Sequence, residues 1–228
     1  MGDVGYDLAA LHRPSLTSPI PHLPVKLTRH AGPVLAVILS LLPRALDAQE
    51  KQPVPAGPPL APFTAMRVAI VPVQLWHGDS TGWSRQLTWS ETRLALDSAV
   101  AAVLQERGLA RKWAYAADVV RTARRNPTYA ADPYTLGVSR LRNVELKSGG
   151  ELPQLLADNL RTVTALGDTR YALIPVELKV QGENVVLRLV LADTRTRQIV
   201  WAGDLIAPGG AGMIAGLATR VADLVIEP

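Results

Sequence analysis

Three apolar runs separated by two polar turns lie between Tyr171 and Leu205. Their apolar positions recur every second residue, which is the period at which strand side chains return to one face. The positions expected on one face of each strand are Ile174, Val176, Leu178 and Val180, then Val185, Leu187, Leu189 and Leu191, then Ile199, Trp201 and Leu205. Because the turns at 181–184 and 193–197 are short, the three strands are predicted to form an antiparallel meander.

Two residues of this meander carry specific expectations. Pro175 has no N–H to donate to a strand ladder, so the first strand is expected to lie at a sheet edge there or to be bulged. A sheet with one apolar face needs a cover. Trp201 is expected to be the buried anchor of that cover, so Trp201→Ala is predicted to cost about 3–5 kcal/mol.

Upstream of the meander, the nearly continuous apolar run Met66–Leu75 predicts a strand buried on both faces. A helix is expected over Glu91–Arg107, with Ser90 as its N-cap and Gly108 at its end. A short strand around Trp113 is expected next. Further helices are predicted at Ala117–Arg125, at Leu152–Leu166 with an apolar stripe of Leu152, Leu155, Leu156, Leu160 and Val163, and after Gly209–Gly212.

These elements predict an α/β (α+β) domain over residues 66–228. Its mixed sheet would end in the C-terminal antiparallel three-strand meander and be covered by about four helices. A chain of 228 residues is long enough for one such domain and an extension.

The extension has the pattern of an export signal. Basic residues at 26 and 29 precede the apolar run Ala31–Leu42, and small residues follow up to Ala48. Residues 1–48 are therefore predicted to be a leader with a secretory signal, cleaved after Ala48. The apolar run is shorter than the ~18 residues of a membrane span, so none is expected in the mature form. An uncleaved amphipathic or anchor segment is the alternative.

Five prolines in residues 49–65 predict an extended tether between the leader and the domain. Together, the signal and the tether favour a periplasmic or secreted protein.

The amino-acid composition excludes several kinds of functional site. The sequence has no cysteine, which excludes disulfides, thiolate metal sites and the lipobox cysteine of a lipoprotein. Neither a metal-binding loop nor a phosphate-binding glycine motif is present, so no metal or cofactor is expected. The formal charge of +4 is too small to indicate a polyanion, and nucleic acid is not expected as a partner.

Two groups of residues are candidates for binding. Trp76, Trp83 and Trp89 lie in or beside one loop, and tryptophan is enriched in binding hot spots. Packing as a roof over the sheet edge is the favoured interpretation, and an exposed recognition surface is the alternative. A basic cluster, Arg121, Arg124 and Arg125, ends a predicted helix; it could bind an anionic ligand or simply complement the helix dipole.

A hydrolytic site is a further hypothesis. His77, Asp79, Ser80 and Ser84 share the same loop, and His77 would be the one imidazole left after cleavage. A catalytic triad needs a base that a carboxylate orients beside the nucleophile. Residues so close together on a loop rarely adopt that geometry, so a solvated loop is the favoured interpretation.

Several residues resemble a known group of proteins. A buried strand, Arg67–Val73, precedes a helix ending in Arg107-Gly108-Leu109, and the meander contains Asp193, Thr196 and Trp201. Over about Met66–Val225 the chain resembles the bacterial envelope domains related to the TolB amino-terminal domain, CsgG and LpoB. That group often carries a D-x-x-T-G-x-x-x-W turn, in which Arg197 here replaces the glycine.

The resemblance implies a non-catalytic envelope protein that binds partners or assembles, with no catalytic residues. The sequence thus predicts an exported periplasmic binding or accessory protein that engages an envelope protein or a cell-wall component. An envelope hydrolase using His77 and an oligomerising structural component, a homo-oligomer, are the alternatives.

Overall fold

A computed structural model describes residues 57–78, 82–142 and 144–227, which belong to one compact unit. The predicted secretory signal, its cleavage site and residues 49–56 of the tether lie outside the described residues. Within the described ranges, no helix has the length and apolar character that crossing a membrane requires.

Six strands and four α-helices follow one another along the described chain. The strands are β1 (Val68–Ile70), β2 (Leu75–His77), β3 (Trp113–Ala114), β4 (Tyr171–Gln181), β5 (Asn184–Asp193) and β6 (Gln198–Pro208). The helices are α1 (Trp89–Leu104), α2 (Ala116–Arg125), α3 (Gln154–Ala165) and α4 (Met213–Asp223). The predicted order of strands and helices is therefore confirmed, except that the first strand is divided in two.

The strands form one mixed sheet in the order β3-β1-β4-β5-β6, and β2 also pairs with β4. The β1–β3, β1–β4 and β2–β4 pairs are parallel. The β4–β5 and β5–β6 pairs are antiparallel, which confirms the predicted meander. The α+β class with a C-terminal meander is confirmed.

The sheet is buried on both faces, whereas the sequence pattern of the meander predicts one apolar face. One core joins β4 and β5 to the apolar faces of α1 and α4, including Leu96 and Leu217. A second core on the opposite face joins them to α2 and α3, including Val119 and Leu160. The meander strands alternate between the two cores, which is why β5 is buried at seven of its ten positions.

Two bulges change the predicted faces. The register shifts between Pro175 and Glu177, so the residues on either side of the shift face different cores. Ile174 and Val176 lie in the core with α3, whereas Leu178 and Val180 lie in the core with α1. Grouping these four residues on one face was wrong, because one extra residue reverses the alternation.

The second bulge separates Ile199 from Trp201. Ile199 pairs with Ala192 and Trp201 pairs with Leu191, so Val200 is the extra residue. Ile199 consequently lies in the core with α3, and Trp201 packs against the core with α1. Their predicted common face was also wrong.

Proline divides the first predicted strand. Pro72 lies in the interruption between β1 and β2. The N–H of Val71 still donates to the carbonyl of Leu173 at 3.1 Å, and that of Gln74 to the carbonyl of Pro175 at 3.0 Å. Pro175 thus lies on an interior strand, so its expected position at a sheet edge is wrong. The expected bulge is confirmed, because the register shifts between Pro175 and Glu177.

Helix α1 begins earlier than the sequence indicated. Its N-cap is Thr88, without a side-chain cap hydrogen bond, so the assignment of Ser90 as N-cap was wrong. After Leu104 the chain forms one wider turn, Gln105–Leu109. Gly108 has φ 93° there, which confirms that a glycine with left-handed backbone ends the helix.

Two apolar side chains are less buried than predicted. Leu155 of α3 is 65% exposed, although its neighbour Leu156 is fully buried as predicted. Trp201 is half-buried on the edge strand β6 and is not the buried anchor of the core. The buried tryptophan is Trp113, at 3% exposure, whose Nε1 donates to the carbonyl of Phe63 at 3.3 Å.

Part of the predicted tether packs onto the domain. Leu60 is fully buried, and its N–H donates to the carbonyl of Leu224 at 2.8 Å. The rings of Phe63 and Tyr171 meet edge to face at 5.1 Å. The packed structure therefore includes residues between 57 and 65.

Candidate functional site

Strand β2 and the first turn of α1 bring two of the candidate tryptophans together. Trp76 lies in the middle of β2, and Trp89 is the first residue of α1. Their rings stack with centroids 5.8 Å apart and an interplanar angle of 17°. The sequence pattern that put both residues beside one loop thus corresponds to a direct contact.

Arg93 continues this stack. It lies four residues after Trp89, so both side chains project from one side of α1. Its guanidinium lies 5.4 Å from the centroid of the Trp89 ring and 4.0 Å from that of Tyr134. We call Trp76, Trp89, Arg93 and Tyr134 the aromatic–arginine column.

The column is held in place by its own contacts. All four side chains are half-buried, and Trp76 is covered on one side by Gly78, where a Cβ would lie 2.6 Å from the Trp76 Nε1. The ring faces therefore contact one another and the guanidinium. Each of the four side chains also keeps part of its surface accessible to solvent.

Trp83 has a different position. It packs against Gly209, just after β6, and its Nε1 donates to the carbonyl of Gly182 at 3.3 Å. Gly182 is in the turn between β4 and β5, so Trp83 braces that hairpin. No ring contact joins Trp83 to Trp76 or Trp89 among the described residues.

The basic cluster on α2 divides into two parts. Arg121 pairs with Asp118 at 3.0 Å within one turn of the helix. Arg124 and Arg125 are exposed, and no carboxylate of the described chain pairs with either. Arg124 and Tyr134 line one pocket of about 340 Å³. Tyr134 thus links the column to the free end of the cluster.

Sequence reasoning missed two members of the column. Arg93 could have been found from its spacing of four residues to Trp89 if the helix had been extended to residue 89. Tyr134 gave no such signal, because residues 128–150 contain no regular pattern. Its position depends on a turn in which its N–H donates to Asp132 at 3.0 Å.

A partly buried carboxyl group lies one turn further along α1. Burial raises the pKa of Asp97 to about 7, although a hydrogen bond from the N–H of Val73 and the charge of Arg93 both favour the ionised form. The donor of that hydrogen bond lies 3.3 Å from Asp97, in the interruption between β1 and β2. Asp97 therefore connects the column to the divided strand.

The hydrolytic hypothesis finds an exposed imidazole. His77 ends β2 and pairs with Lys179 in the ladder to β4. Ser84 is buried at 4% exposure, and Asp79 and Ser80 lie outside the described residues. In the described ranges, no three histidine, aspartate or glutamate side chains are grouped to hold a metal ion.

No protein-family profile matches this chain, and no curated protein matches its sequence. The LpoB C-terminal domain from Salmonella enterica is similar in structure, with a TM-score of 0.39 at 11% identity, covering 66% of this chain and 96% of that one. The PelC dodecamer subunit from Paraburkholderia phytofirmans gives a TM-score of 0.37 at 15% identity, covering 75% and 94%. Lipoprotein GNA1162 from Neisseria meningitidis gives 0.36 at 14% identity, covering 69% and 96%.

These similarities include LpoB, one of the three proteins that the sequence resembles, while the relation to the TolB amino-terminal domain and to CsgG stays a prediction. At such low scores and identities, similarity does not define what a protein does.

Proposed function

We propose that this chain is an exported, non-catalytic binding protein of the bacterial cell envelope. It engages an envelope protein or a cell-wall component through the aromatic–arginine column and the adjoining end of α2. The observation that carries the proposal is the continuity of this surface, in which Tyr134 contacts Arg93 and lines a pocket with Arg124. Export rests on the predicted signal in residues 1–48.

The surface has the properties of a binding hot spot. Tryptophan, tyrosine and arginine dominate the energetics of most protein interfaces. Here the arginine is already fixed between two rings, so it would lose less conformational entropy on binding than a free side chain. Arg124 and Arg125 add positive charge without a partner in the described chain, which favours an anionic group on the ligand.

The same surface is poorly suited to catalysis. Among the described residues it offers a cation and aromatic rings but no nucleophile next to a base. His77 is exposed, and no carboxylate of the described residues forms an ion pair with it. A binding role therefore accounts for the arrangement better than hydrolysis does.

Crosslinking and pull-down from the native envelope test the proposal. A tagged full chain is compared with Arg93→Gln and Tyr134→Ala, and with Arg121→Gln as a matched control because Arg121 is already paired with Asp118. We expect the first two variants to lose a partner that the wild type and the control retain. Circular dichroism confirms that all variants fold.

Other results would contradict the proposal. If all variants captured the partner equally, the aromatic–arginine column would not be part of the binding interface. Capture of no molecule except further copies of the chain would favour the oligomerising alternative. Loss of an envelope phenotype in His77→Ala, with capture intact, would favour the hydrolase.

A further inference from the structure

A small, partly open cavity lies between α1, the interruption of the first strand and the residue that precedes α2. Its volume is about 10 Å³, which is roughly the space that one water molecule needs. Its walls are hydrocarbon from β1, β4, β5 and α4, apart from two polar side chains. These are Asp97 of α1 and Tyr115 at the start of α2.

Tyr115 is a buried polar group without a partner. The residue is 3% exposed, and its hydroxyl has no hydrogen-bond partner among the described residues. Leaving a buried hydroxyl unpaired is destabilising, so such groups are rare in folded proteins. A water molecule in the cavity would satisfy it.

Asp97 is the second polar group that a water in the cavity could contact. One of its oxygens accepts the N–H of Val73 at 3.3 Å, and the side chain also lines the cavity. The charged group that acts on Asp97 is Arg93 on its own helix, while Tyr115, which also lines the cavity, lies near the charge of Asp118 in α2. The strands and α4 contribute only apolar side chains to the lining.

We propose that this cavity is a proton-linked water site, in which one water joins the Asp97 carboxyl to the Tyr115 hydroxyl and the proton on Asp97 controls the charge of the aromatic–arginine column. With the proton bound, Asp97 is neutral and the charge of Arg93 is unopposed. When the proton leaves, an anion lies one helical turn from Arg93 and offsets it. The effect on partner binding rests on the proposed function, whereas the site itself does not.

The sign of the pH dependence follows from burial. Because burial raises the pKa of Asp97 to about 7, the folded state keeps this proton over a pH range in which the unfolded state, with a pKa of about 3.9, has lost it. Stability therefore falls as pH rises from about 4 to 7 and is level above that. A charge left in an apolar cavity is the physical cause.

Urea unfolding of the full chain between pH 5 and 8.5 tests the site without any partner. Asp97→Asn keeps the acceptor for Val73 and removes the titration, so its advantage over the wild type should grow up to about pH 7 and then stay constant. His77→Gln is the control and should behave as the wild type does, because His77 is exposed and does not line the cavity. A constant difference between wild type and Asp97→Asn over the whole range would overturn the proposal.

Tyr115→Phe tests the water. If a water bridges the Tyr115 hydroxyl to Asp97, the hydroxyl stabilises the Asp97 carboxylate through that water. Removing the hydroxyl then disfavours the ionised form, so the pH at which stability stops falling should rise. If Tyr115 is merely unpaired, the variant is more stable at every pH, with an unchanged transition. The second result would overturn the water bridge.

Partner capture at pH 6 and pH 8 tests the consequence. The wild type should capture about fivefold more partner at pH 6, the lower end of typical coupling between sites, and Asp97→Asn should capture equally at both. If the unfolding tests succeed but no variant captures anything, the proposed function fails and the proton site stands. If capture occurs with equal pH dependence in both proteins, the link between Asp97 and the column fails.

Discussion

Arg170 holds the carboxylate of Asp193 across the start of the meander. The Arg170 Nε donates to the Asp193 Oδ2 at 2.9 Å, while the Oδ1 accepts the N–H groups of Arg195 and Thr196 at 2.9 and 3.2 Å. Burial alone would raise the pKa of Asp193, but these hydrogen bonds and the Arg170 charge outweigh it and hold the pKa below its usual value. The aspartate of the D-x-x-T turn therefore has a structural role.

We expect Asp193→Asn to lower the free energy of unfolding by about 1–3 kcal/mol at pH 7, since it leaves buried hydrogen-bonding groups poorly matched. Urea denaturation measures the change. Asp168→Asn is the control, because the pair between Arg67 and Asp168 has side chains that are 61% and 90% exposed and should contribute little.

The Asp193 contribution should also depend on pH. Because the folded pKa is depressed, the stabilisation is present above the unfolded value of about 3.9 and is lost as pH falls through the folded pKa. The difference between wild type and Asp193→Asn should therefore shrink in acid. An equal difference at pH 7 and at pH 2 would show that the carboxylate charge is not the stabilising feature.

Arg197 occupies a position that suits glycine. Its φ is 62°, a left-handed conformation that costs a non-glycine residue roughly 1–2 kcal/mol. Its side chain pairs with Asp158 at 3.1 Å in a partly exposed contact. Arg197→Gly and Arg197→Ala both lose that pair, but only glycine relieves the backbone.

We therefore expect Arg197→Gly to be more stable than Arg197→Ala by about 1 kcal/mol, measured by thermal and urea unfolding. Elsewhere in a strand or helix the order is usually the reverse. If the alanine variant were the more stable one, the left-handed conformation at residue 197 would be refuted.

Gly203 and Trp201 form a second close contact in the meander. A Cβ at residue 203 would lie 2.6 Å from Cζ2 of the Trp201 ring. Gly203→Ala must displace the ring and should cost about 1–3 kcal/mol. Trp201→Ala should cost less than the 3–5 kcal/mol of a fully buried aromatic residue, because Trp201 is half-buried.

A double-mutant cycle separates the two effects. In a Trp201→Ala background, Gly203→Ala should cost little, because the clash is gone. Gly216→Ala in α4 is the control, since its nearest neighbour is the Ala207 Cβ at 3.7 Å and alanine favours a helix. A Gly203→Ala cost that persists without the ring would assign the effect to the backbone instead.

The fold was largely predictable, because most elements carry a strong local pattern. The meander, α2 and the end of α1 follow from periodicity and from glycine and proline positions. The faces of β4 and β6 did not follow, since one extra residue at each bulge reverses the alternation. Pro175 indicated a possible bulge in β4. It did not indicate that the bulge would turn Leu178 and Val180 to the other face of the sheet.

The candidate site was only partly predictable. Trp76 and Trp89 were found because they are conspicuous and close in sequence, and the structure stacks them. Trp83 looked equivalent but braces a hairpin about 100 residues away in sequence, at Gly182. Tyr134 and the Asp97 cavity depend on contacts between distant segments, which no local pattern encodes.

Leu155 and Leu156 show how far a helical period determines burial. Both fit the apolar stripe of α3, yet Leu155 is 65% exposed and Leu156 is fully buried. We expect Leu156→Ala to cost about 2–5 kcal/mol and Leu155→Ala no more than about 0.5 kcal/mol in urea unfolding. Comparable losses from the two substitutions would mean that Leu155 also packs in the core, and the orientation of α3 against the sheet would then be incorrect.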